Sequence, residues 1–160
     1  MTVTTTLATL AVRFLAIDVT GQPDVARVLT TLHDAINLAD FPVAVLVKAK
    51  GNTDARLVQE TLGSPGLGTH RYFVQFYIFL AGAQVPTPEA AALLEPWGQA
   101  LMVALLADQT LGGAVAFIGD DDSGELLTYQ EGLIPWIDKN QYWGLKGLLP
   151  VTEHISTTVG

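Results

Sequence analysis

The sequence predicts a single α/β domain of the α+β kind, a mainly antiparallel mixed sheet packed by a long helix. Three observations lead there. The chain has 160 residues, the usual length of one domain, and contains no internal repeat or low-complexity segment. From His70 to Leu80 both alternating faces are largely apolar or aromatic, as in a long central strand covered on both sides, or on one side by a neighbouring subunit. From Thr87 to about Ala107 an Ala- and Leu-rich run opens with Pro88 and Glu89, the pattern of a long helix start.

The elements follow in order. Val3, Leu7, Leu10, Ala11, Phe14 and Leu15 recur at three- and four-residue spacing, which predicts an amphipathic helix ending near Asp18 and Gly21. Val25, Val28, Leu29, Leu32 and Ile36 fit a second helix, yet Arg27 to Leu32 is β-branched enough for a strand, and periodicity leaves both open. Phe41 to Val47 reads as a strand with Pro42 among its first positions, where the missing N–H is harmless. Thr61 to Thr69 holds three glycines and a proline, which predicts a flexible loop.

In the second half, Thr87 is expected to cap the long helix, and Pro96 to kink or break it near Glu95 by removing a backbone hydrogen bond. Leu111-Gly112-Gly113 stops that helix and launches a short strand, Ala114 to Ile118. An acidic turn, Gly119 to Glu125, leads into Leu126 to Tyr129. Gln141 to Val151 is expected as a last strand at or near a sheet edge, with residues 152–160 a loose tail of the same 1–160 domain.

Composition narrows function. The chain is 49% hydrophobic and 15% charged, against about a quarter charged in ordinary soluble domains, so another surface is expected to cover part of it. No run of about 20 apolar residues is present, so a membrane is not expected to be that cover. The amino end lacks the basic start of a secretory signal, and the chain has no cysteine, which together suggest a soluble protein of a reducing compartment. Thiolate catalysis, disulfides and cysteine zinc sites are excluded. A net charge of −8 with scattered bases argues against DNA binding.

Candidate chemistry is sparse. Asp120, Asp121, Asp122 and Glu125 form the one dense carboxylate cluster, but Gly124 stands where a calcium loop needs an oxygen ligand, so a solvated turn is the plainer reading. His33, His70 and His154 lie far apart with no ligand spacing between them. Ser64 within Gly63-Ser-Pro-Gly66 imitates only part of a nucleophile elbow. The glycines at 63, 66 and 68 make no phosphate-binding motif. The three tryptophans and four tyrosines lack interleaved bases and read as core or subunit interface rather than a stacking platform. No catalytic residue, metal ligand or cofactor is therefore expected.

Taken in order, several segments resemble the tail terminator, or tail completion, proteins of long-tailed bacteriophages. They are His70 to Gly82, Leu94-Glu-Pro-Trp97, Leu111-Gly-Gly113, the acidic turn, Tyr142-Trp-Gly-Leu145 and Leu149-Pro-Val151, with Ile17-Asp-Val19 and Ala39 to Pro42 earlier. The long amino-terminal helix and Pro135 to Asn140 depart from many members. The resemblance favours a strand over a helix for Arg27 to Leu32. It implies a virion protein assembled in the host cytoplasm: a ring, typically a hexamer, that caps the tail tube and meets a head-completion or connector protein. DNA would cross its lumen unbound, which suits the acidic residues at 120, 121, 122 and 125. A connector protein just above that ring is the nearest alternative, and a small-ligand-binding module or unrecognised hydrolase is the alternative of another class. Subunit contacts are expected from Phe73, Tyr77 and Phe79 on the aromatic strand and from Tyr142, Trp143 and Leu145 on the last one.

Overall fold

The computed structural model describes residues 3–31, 41–48, 58–62, 67–113, 115, 117–119 and 126–156. In chain order they form α1 (Val3–Leu15), β1 (Arg27–Leu29), β2 (Val43–Lys48), β3 (Val58–Leu62), β4 (Leu67–Gly82), α2 (Thr87–Leu106), β5 (Phe117–Ile118), β6 (Thr128–Pro135) and β7 (Gln141–Ser156). One mixed sheet and two helices make an α+β fold. The segment that periodicity left open is a strand at Arg27–Leu29.

β4 and β7, 16 residues each, run antiparallel along almost their whole lengths, and β2, β3, β5 and β6 pair with one or the other. β2 and β3 follow one another along one edge of β4; β6 and β5 do the same along β7. Among the described residues only β1 pairs in parallel, with β2. β7 lies one strand in from the edge, the near-edge place, because β6 pairs with it from Gln141 to Leu148. It also continues past the expected end: Thr152–Ser156, expected as a loose tail, pair with Leu67–Arg71 of β4. The glycine-rich stretch expected as a loop, Thr61–Thr69, contributes paired strand on both sides, Thr61 opposite Thr69 and Leu62 opposite Gly68.

Both helices cover one face. Leu7, Leu10 and Phe14 of α1 and Leu94, Trp97, Leu101 and Leu105 of α2 pack on Leu46, Tyr72, Val74, Phe76, Ile78 and Leu149. The three-and-four spacing of the apolar residues puts them on one stripe of each helix, and the alternation of β4 puts its even-numbered residues beneath that stripe. Leu15 falls outside this contact and is exposed. The other face carries a smaller cluster of Val43, Val45, Phe79, Ile134, Trp136 and Tyr142. It forms because the Pro135–Asn140 connection is a hairpin turn that folds Trp136 back over the sheet, with the Trp136 N–H donating to the Asn140 carbonyl at 2.9 Å.

Two expectations for α2 are corrected. Its cap is Pro86, with no side-chain hydrogen bond, so Thr87 already lies in the helix. Pro96 does not break it: the helix is continuous from Thr87 to Leu106. The turn beyond has Leu111, Gly112 and Gly113 all at positive φ, which explains the paired glycines where the chain reverses toward β5.

Candidate interaction surface

The six residues expected at a subunit contact divide by burial. Phe79, Tyr142 and Leu145 lie within the chain's own core, which corrects their reading as open interface residues. Leu145 faces the helices, whereas Phe79 and Tyr142 belong to the cluster around Trp136. Phe73, Tyr77 and Trp143 remain half-buried. Trp143 sits on the helix face, its indole N–H donating to the Val85 carbonyl at 3.0 Å. Asp120, Asp121, Asp122 and Glu125 lie outside the described residues, as do His33 and Ser64.

That leaves Phe73 and Tyr77 on an open strip of the second sheet face. Register places Phe73 opposite Pro150, Gln75 opposite Leu148 and Tyr77 opposite Lys146, so side chains from both long strands share the strip. The half-burial of Tyr77 comes from neighbouring side chains. Tyr77 stacks on Phe79 with ring centroids 5.7 Å apart and meets the edge of Trp136 at 5.0 Å. Lys146 Nζ stands 5.7 Å from the Tyr77 ring centre, within reach of a cation–π attraction. Burial raises the Tyr77 phenol above its ordinary pKa, keeping it a neutral hydrogen-bond donor. Nearby, the Tyr142 hydroxyl donates to Asp138 Oδ2 at 2.6 Å. Burial first, and that carboxylate second, raise its pKa as well.

Beside the aromatic group is an open hollow of about 510 Å³ lined by Val47, Lys48, Gln75, Tyr77, Trp136 and Ile137. Apolar walls with an amide and a phenol suit the burial of a protein side chain or a small flat molecule. Sequence reading found Tyr77 and read Trp136 as core or interface, of which its 7% exposure within the second cluster shows the core. It missed Ile137 and the hairpin turn, which apolar spacing does not announce. It also missed that register sets His70 opposite both Glu60 and Glu153. Among the described residues no group of three His, Asp or Glu side chains is placed to hold a metal ion, and no helix is long and apolar enough to cross a membrane. The chain matches no family model, and no curated protein matches it at a significant level.

Proposed function

We propose that this chain is a tail terminator: a structural, non-enzymatic ring that caps a phage tail tube and forms the joint to the head, with DNA passing through its lumen. The observation that carries the reading is the order of the resembling segments and the way they pack together. Trp97 from Leu94-Glu-Pro-Trp97 packs in the same core as Phe76 and Ile78 of the aromatic strand and Leu145 of Tyr142-Trp-Gly-Leu145. Gly144 within that last motif also has a steric reason, since a Cβ there would collide with the Ile78 carbonyl of β4. The half-open strip around Phe73 and Tyr77, a low charge content and an excess of acid support a surface protein that meets other subunits and lets DNA slide past.

On this reading the partners are further copies of the chain, the tail-tube protein and a head-completion or connector protein, and no cofactor takes part. Electron microscopy and light scattering of the purified protein, alone and mixed with the tail tubes of its phage, test it. Rings, free or seated on tube ends, are the expected result. Binding to isolated connectors but not to tubes would move the protein one position up the neck. A strict monomer that leaves tube ends bare overturns the reading. A small-ligand module draws on the 510 Å³ hollow, and saturable binding of a small molecule there by a monomer would favour it.

A further inference from the structure

The outer layer of helices carries a second apolar surface. From Pro96 to Leu106 α2 has no charged side chain, although packing on the sheet uses only the stripe of Ala90, Leu94, Trp97, Gly98, Leu101 and Leu105. A helix of this kind that is apolar beyond its buried stripe normally has its other side covered as well. Here Val103 is 63% and Leu106 49% exposed, and on α1 Val12 is 62% and Leu15 46% exposed. Between the end of α1 and α2 lies a groove of about 390 Å³, walled by Ala16, Val19, Pro96, Ala100, Val103 and Ala104. Small alanines form much of the groove, with Val103 on its wall and Leu106 about one turn further along α2.

We propose that this helix face is a contact between two copies of the chain. Charge decides the occupant. At a net charge of −8, two copies repel wherever their acids face each other, so they associate best through a face with little net charge. Arg13 and Asp108, which join α1 to the end of α2, pair with each other at 2.7 Å, and Asp18 at the rim of the groove and the exposed Glu95 next to Pro96 are the remaining acids there. A basic partner would find little to bind on such a face. An anionic lipid surface requires Lys or Arg flanking the apolar residues; α2 carries no base and the one base of α1 is Arg13, already paired. The exposed apolar side chains amount to a patch on the order of 400 Å². Two such patches, with the groove walls between them, approach the lower bound of about 1,200 Å² for specific interfaces.

This contact rests on self-association, which the ring reading shares, but it assigns the surface and can fail separately. Light scattering on wild type, Val103→Glu, Leu106→Lys, Ile137→Glu and Gln84→Glu tests it, with circular dichroism confirming that each variant is folded. Gln84, exposed in the turn before α2 and outside both the groove and the open strip, is the control, and Ile137→Glu probes the competing sheet face. Wild type should exceed the 17.1 kDa of one chain. Val103→Glu and Leu106→Lys should each weaken association at least about tenfold, while Gln84→Glu leaves it unchanged. Wild-type mass in both helix-face variants overturns the proposal and leaves a ring closed through another surface intact. Loss of association in Ile137→Glu alone assigns the contact to the sheet face and overturns it too. A wild-type monomer at about 100 µM also overturns it, and the ring reading then depends on assembly at tube ends.

Discussion

Glu153 is a carboxylate only 5% exposed. Two neutral hydroxyls donate to it: Thr6 of α1 to Oε1 at 2.6 Å and Tyr72 of β4 to the same oxygen at 2.7 Å. The three groups tie the first helix to both long strands. Replacing Glu153 by alanine removes the shared acceptor and leaves both hydroxyls buried, which should cost on the order of 3 kcal/mol in urea unfolding. A change within about 0.5 kcal/mol would show that water replaces the carboxylate. Nothing in the sequence marks this residue, since it falls in a stretch that reads as a tail, and its partners are far away in the chain. Phe79 and Tyr142 teach a related lesson. An aromatic side chain on a strand advertises burial, but whether its own chain or a neighbour covers it depended here on the fold of Trp136 across the sheet.

Among the elements, α2 shows how packing overrides a local preference. Pro96 has no N–H to offer the carbonyl one turn earlier, yet Leu94, Trp97 and Leu101 hold the helix on the sheet on either side of it. Because Pro96 faces outward, Pro96→Ala should restore the missing bond without disturbing the core and raise stability by about 1–3 kcal/mol in urea unfolding. A loss of stability would mean that the helix path set by proline is needed for packing. β3 and the ends of β4 and β7 show the opposite failure of local reading. Their glycines and threonines carry a loop signal, but long neighbouring strands supply hydrogen-bond partners, and backbone pairing does not depend on an apolar side chain. Gly144 shows why a glycine can be required inside a strand, because β4 passes too close for a Cβ.

For the whole molecule, the two clusters on opposite faces share β4 and β7, so the buried tyrosines of both faces report on one structure. Tyr72 and Tyr77 are held above the ordinary phenol value of 10.0 chiefly by burial, and Tyr142 by burial and then by Asp138. The folded chain therefore keeps protons that the unfolded chain releases near pH 10. Their contribution to stability is complete below that pH and is lost as pH rises through the raised values. Urea midpoints should fall between about pH 9 and pH 11.5, with phenolate absorbance of these tyrosines appearing together with unfolding. Phenolate absorbance well before unfolding would show that the rings are reached by water in the folded state. Composition and spacing alone established one α+β domain, the first helix, the extent of the second, the β2 strand and the doubly apolar course of β4, because each depends on residues close together in the chain. Strand identity at 27–29, the place of β7 one strand in from the edge, the outward Val103 and Leu106, and the division of aromatic residues into core and open strip were decided by tertiary structure. Each of these depends on which distant segment lies alongside, and hydrophobic pattern states that a side chain seeks cover without naming what covers it.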